Sequence, residues 1–302
     1  VNTGNAGIYT GEEDKTMKRL AWFALAVALA TGPALAAEQP GTLDKIKKSG
    51  EIVIGHRQDA RPFSFVESDG KPTGYTVDLC LRIVDGVKNA LGVPNLRVKY
   101  VPLTAENRFA KVADGSVDLE CGNSTMTLSR MEEVDFSNMI FITGASMLVR
   151  PGEQIGGLSD LAGKSVAVVE DTTTRQELQD KLKAGSIDAK VVPVKDHADG
   201  LKALLEKKVD AYAGDQIVLI GLAKSAEDPG KLALVRELFS YEPYGIALRR
   251  GDADFRLVAN RALAQLYRSG EITGVYDRWF GDWGGRPSPL LVAMYALNGI
   301  PE

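Results

Sequence analysis

The chain has 302 residues, of which 44% are hydrophobic and 25% charged. That is a globular balance, long enough for two lobes of ordinary domain size, and it excludes a disordered chain. The net charge of −4 with no basic block excludes nucleic acid as an expected partner, and only two cysteines (Cys80, Cys121) and two histidines (His56, His197) exclude a disulfide-dense scaffold and a three-histidine metal centre.

Residues 1–16 are polar, carry Glu12, Glu13 and Asp14, and precede a plausible start at Met17. They read as an upstream extension or an expression remnant and take no part in the fold reasoning. Residues 17–36 read as a signal peptide. Lys18 and Arg19 form a basic start, Leu20 to Ala30 is apolar, and Ala34-Leu35-Ala36 supplies the small residues before a cut after Ala36. The competing reading is a membrane anchor, but the apolar run is short against a span of about 20 residues. Export implies an oxidising periplasm. No cysteine follows the cut, so no lipid is expected there. Cys80 and Cys121 both look core-facing, which leaves a bridge and two buried thiols equally open.

The mature chain alternates short apolar strands with amphipathic helices, the pattern of an α/β fold with mostly parallel sheets. Strands are expected over 51–55, 96–101 and 117–120, with helices over 77–91 and 107–113. A second run follows: strands over 165–169, 189–194 and 209–213, and helices over 175–182, 200–206 and 217–223. A strand over 245–248 and helices over 255–268 and around 275–280 complete the pattern. The organisation expected is a first lobe over 38–146, a second over 147–242, a return to the first over 243–281, and a tail over 282–302 with no assigned structure. Two crossings, near Phe141–Met147 and Pro243–Gly245, make a two-strand hinge. Ligands in open α/β sheets bind at the carboxyl ends of strands, and here those ends would face each other across a cleft.

The stretch Gly41 to Arg57 (GTLDKIKKSGEIVIGHR) resembles the opening of family 3 solute-binding proteins of ABC transporters. Pro62-Phe63-Ser64, Gly74-Tyr75, Asp118 to Gly122, Asn123 to Arg130, Val134 to Ser137, Lys195-Asp196-His197, Tyr244-Gly245 and Tyr276 to Gly281 extend the likeness over nearly all of the mature chain. Each motif is weak alone, and their order and spacing are what carry it. Within the family the chain looks most like the glutamate/aspartate-binding branch. The resemblance implies a two-lobed periplasmic-binding-protein-like fold with a two-strand hinge. It also implies a monomer without cofactor or metal that hands a free acidic amino acid to an inner-membrane ABC permease.

A free amino acid brings an α-carboxylate, an α-ammonium and a side chain, and each charge must be paired once water leaves. Arginine suits the carboxylates because its planar fork donates two parallel hydrogen bonds. By the resemblance, Arg130 with Thr125 grips the α-carboxylate and Asp215 pairs the α-ammonium. Arg57 and Arg108 take the side-chain acid, and Thr172, Thr173 and His197 close the site from the second lobe. Relatives that bind basic amino acids carry a carboxylate where this chain has Arg57, so the reversed charge points to an acidic ligand. Plainer readings stand beside these: Arg130 and Arg108 as solvated surface charges (Glu106 neutralising Arg108), Asp215 as a helix cap, and His197 as a structural imidazole. The chain departs from the acidic branch at Asn123 and Ala105, where serines are expected, and at Ala60, which lacks a stacking ring. Two rival classes remain: a dehydratase of a small cyclic acid using Glu120 and His197, and the sensor domain of a membrane receptor.

Overall fold

In the computed structural model, residues 41–283 and 285–302 are described, so the expected signal peptide and the segment before it lie outside the described residues. Helix α1 (Thr42–Ser49) leads into strand β1 (Glu51–His56) and a small meander of β2 (Asp59–Ala60), β3 (Ser64–Val66) and β4 (Pro72–Thr73). Then come α2 (Tyr75–Leu91), β5 (Arg97–Pro102), α3 (Arg108–Ala113), β6 (Leu119–Cys121) and β7 (Val134–Phe136). The chain crosses through β8 (Phe141–Thr143) into β9 (Ala145–Val149), β10 (Ser165–Val169), α4 (Thr173–Ala184), β11 (Lys190–Val194), α5 (His197–Leu205), β12 (Ala211–Asp215), α6 (Gln216–Ser225) and β13 (Ala233–Leu234). It returns through β14 (Glu242–Tyr244) to β15 (Ala247–Arg249), α7 (Ala253–Arg268), α8 (Glu271–Phe280) and α9 (Pro289–Asn298).

Two five-stranded sheets result, in the orders β5-β1-β6-β15-β7 and β11-β10-β12-β9-β13. In each sheet the first three strands are parallel and one strand, β15 or β9, runs against the rest. That reversed strand is the one the chain enters after crossing between sheets. The crossing strands β8 and β14 pair with each other, Ile142 opposite Pro243. Strands β1 and β12 are buried along nearly their whole length, which is why they read as continuous apolar runs. Edge strand β5 is largely exposed and alternates in sequence.

Helix α2 buries Val77 and lays Cys80, Val84 and Val87 into the core against the first sheet. It starts at Gly74, where φ is +136° and a Cβ would sit 2.2 Å from the Phe63 carbonyl, so only glycine fits. A Cys80–Cys121 disulfide ties this helix to the end of β6, resolving the two open readings in favour of a bridge. Three helices begin two or three residues earlier than their apolar periodicity suggests, because side-chain caps extend them. Thr172 accepts from Arg175 N, Asp196 from Asp199 N, and Asp252 from Phe255 N. The tail forms α9, capped by Ser288, with Leu291, Met294 and Tyr295 buried. Tyr295 pairs with the Tyr75 hydroxyl at 2.8 Å, and Tyr75 donates to the Ile140 carbonyl beside β8. Among the described residues no helix is long and apolar enough to cross a membrane.

Candidate functional site

The carboxyl ends of β1, β6, β10, β11 and β12 converge where the two sheets face each other. Arg57 follows β1 directly, Asn123 to Arg130 follow β6, and Thr172 and Thr173 open α4 after β10. His197 is the first residue of α5 after β11, and Asp215 ends β12. All nine candidate residues, Arg57, Arg108, Asn123, Thr125, Arg130, Thr172, Thr173, His197 and Asp215, line one cavity. Ser124, Thr174 and Gly214 line it too.

Three guanidiniums dominate the first lobe's wall. Arg57 and Arg108 are 5% and 4% exposed, so neither is a solvated surface charge. Arg108 donates to the carbonyls of Ala105 and of Asp171, the latter at 3.1 Å across the cleft, and not to Glu106. Its guanidinium and that of Arg130 lie over the Phe109 ring, 4.5 and 5.0 Å from the centroid. Arg130 donates to the Thr125 carbonyl at 2.7 Å. Arg57 makes a 3.4 Å ion pair with Asp59. Burial, reinforced by the charges of Arg130 and Arg57, pushes Arg108 down to about 9. Burial also lowers Arg130, against the opposing pull of Glu242, Glu120 and Asp215. The Nε atoms of Arg57 and Arg108 are buried without a hydrogen-bond partner. A wall of this kind attracts carboxylates, which relieve both the repulsion and the unmet donors.

The second lobe supplies the opposite charge. Asp215 stands at the cap position of α6 but accepts nothing from that helix. Its carboxylate takes hydrogen bonds from Thr174 (2.8 Å) and from Tyr244 instead, so the plain helix-cap reading fails. Burial, then the nearby Glu242 carboxylate, raises its pKa to about 6. The His197 backbone N–H donates to Asp59 Oδ2 at 2.7 Å, and its Nδ1 meets the Tyr212 hydroxyl at 2.5 Å. Burial lowers the His197 pKa, so the imidazole is neutral at pH 7 and offers the cavity a ring nitrogen, not a cation. Thr172 is already committed: its hydroxyl donates to the Val169 carbonyl and caps α4. Asn123 lies beside the Tyr244 hydroxyl.

One acid, Glu242, escaped the sequence reading of the site, and a second, Glu120, entered it only as a candidate of the dehydratase rival. Glu242, in crossing strand β14, is 1% exposed and accepts from the hydroxyls of Thr125, Thr173 and Ser240. Glu120, in β6, is fully buried behind the arginines, and neither of its oxygens meets a hydrogen-bond partner, the Ser124 hydroxyl being near but outside bonding geometry. Desolvation raises its pKa, opposed most by Arg108. It does not line the cavity, so it shares no ligand with His197 as an acid–base pair would need. Nothing in the periodicity marks a buried acid inside a strand, although the short Glu-Pro-Tyr run of β14 amid crossing residues was a signal for Glu242.

The profile of the bacterial extracellular solute-binding proteins, family 3, matches residues 52–282. The chain belongs to that family. It is a solute-binding protein of an ABC importer and not an enzyme. An L-glutamate/L-aspartate-binding protein of Pseudomonas aeruginosa is 36% identical to it over 258 residues, 85% of each chain. A glutamate/aspartate import solute-binding protein of Salmonella typhimurium is 36% identical over 239 residues, 79% of each. Among solved structures, a mutant arginine-binding protein of T. maritima superposes with a TM-score of 0.70 at 28% identity, covering 80% of this solute-binding protein and 99% of that chain. The same fold thus houses a protein named for a basic ligand, and the choice of ligand rests on the cavity's side chains.

Proposed function

We propose that this solute-binding protein captures glutamate or aspartate in the cleft, closes its lobes over it, and delivers it to an inner-membrane permease. The observation that carries the reading is the cavity itself: Arg57, Arg108 and Arg130 on one side and Asp215 on the other. A dicarboxylate with one ammonium matches that distribution. Arg130, with the amides opening α4, takes the α-carboxylate. Arg57 and Arg108 take the side-chain carboxylate, with His197 donating from Nε2 when the Tyr212 proton rests on Nδ1. Asp215 takes the ammonium. Thr125, expected to help grip the α-carboxylate, and Thr173, expected to close the site, face the ammonium instead, because each hydroxyl has one proton and gives it to Glu242. What they present to the cavity is lone pairs. The signal peptide would place the mature monomer in the periplasm. The test is a melting-temperature panel with each ligand supplied far above its dissociation constant. Glutamate and aspartate should stabilise the protein by mass action, and lysine and arginine should not. Stabilisation by a basic amino acid alone would overturn the reading.

A further inference from the structure

We propose that Glu242 is the positioning residue that makes the cleft demand an amine, an inference that rests on the amino-acid reading above. Glu242 sits in β14, one of the two strands that join the lobes. Its Oε2 accepts from Thr125, in the loop after β6 of the first lobe, and from Thr173, the first residue of α4 in the second, at 2.7 Å. Its Oε1 accepts from Ser240 at 2.6 Å. The two threonine oxygens are themselves 3.3 Å apart. One carboxylate on the hinge therefore holds a hydroxyl from each lobe side by side.

A hydroxyl that donates its only proton to a carboxylate can act towards a third group only as an acceptor. With both protons drawn to Glu242, Thr125 and Thr173 turn lone pairs to the cavity. Asp215, whose own hydroxyl partners Thr174 and Tyr244 also point their protons at it, adds a carboxylate to the same cavity. With the donors of Arg130 beside it, the corner so formed gathers three acceptor side chains, Thr125, Thr173 and Asp215. An ammonium, with three donors and no acceptor, satisfies it. A keto oxygen or a carboxylate placed there faces the lone pairs of all three, and a buried clash of acceptors is costly. Because Thr125 and Thr173 belong to different lobes, this corner is complete only when both lobes meet at Glu242. Glu242 acts here through the threonines, without touching the ligand.

The experiment titrates glutamate and 2-oxoglutarate, which carries a keto oxygen in place of the amine, into the wild type, Glu242→Leu and Glu242→Gln by calorimetry. The leucine variant frees both hydroxyl protons. Glutamate should weaken by roughly tenfold or more, while 2-oxoglutarate should bind as well as before or better, so that the preference for the amine narrows by at least about tenfold. The glutamine variant, which keeps the shape and one acceptor oxygen, should narrow the preference in the same direction by less, and it carries the test if the leucine variant does not fold. Equal weakening of both ligands in folded variants, or an unchanged preference, overturns the inference and leaves the amino-acid reading standing. A wild type that binds no amino acid overturns the reading itself.

Discussion

Asp215→Asn should make the ligand-free protein more stable and useless as an amino-acid receptor. The folded-state pKa of about 6 against a reference of 3.8 is a shift of roughly two units, or roughly 3 kcal/mol of cost at neutral pH. Asparagine removes that cost but weakens the hydrogen bonds from Thr174 and Tyr244, so a net gain of about 1–2 kcal/mol remains. For a domain of this size that is roughly 2–8 °C in melting temperature. The sign with pH follows from a raised carboxyl pKa. The cost is full above about 6, shrinks as pH falls through that value, and vanishes below the unfolded value, where the carboxyl is protonated in both states. Thermal melts followed by circular dichroism at pH 7.5 and 4.5 read the effect. The gap between variant and wild type should be wide at the first pH and narrow at the second. Saturating glutamate should raise the wild-type transition and leave the variant's in place. A variant that melts lower than wild type at pH 7.5, or a gap that ignores pH, would refute the placing of a destabilising charge at Asp215.

Arg130→Ala should abolish binding of every amino acid, while Arg57→Ala should weaken glutamate by about 2–5 kcal/mol and glutamine much less, since an amide leaves no charge unpaired; paired titrations decide. Replacing both Cys80 and Cys121 by alanine should cost about 2–4 kcal/mol in denaturant unfolding without changing ligand preference, because neither cysteine lines the cavity. Gly221→Val should obstruct closure, since a Cβ there falls 2.8 Å from the Arg61 carbonyl of the facing lobe. Overpacking of about 1–3 kcal/mol should appear as roughly fivefold or greater loss of glutamate affinity. X-ray scattering should then find a larger radius of gyration at saturating ligand than for wild type.

Much of this was legible in the chain. Fully buried strands such as β10 (SVAVV) and β12 carry apolar runs, and the polar residues that follow them mark where a cleft must open. The nine candidate residues were collected through the likeness to family 3 motifs, and all nine line one cavity. Their hydrogen-bond polarity was hidden. That Thr172 caps a helix, or that Thr125 and Thr173 give their protons to Glu242, depends on a partner 69 or more residues away in the latter case. The disulfide was undecidable for the same reason, as 41 residues separate two cysteines that each fit a core. The tail escaped because Leu290 to Leu297 is apolar all round and shows no preferred face until α7 and β8 supply one.

The central claim is that the cleft selects an acidic amino acid, and calorimetric titration of the wild-type protein with glutamate, aspartate, glutamine and arginine tests it most directly. One-to-one binding of glutamate or aspartate, weaker binding of glutamine and no heat from arginine is the predicted result. Arginine binding in preference to either acid would contradict it.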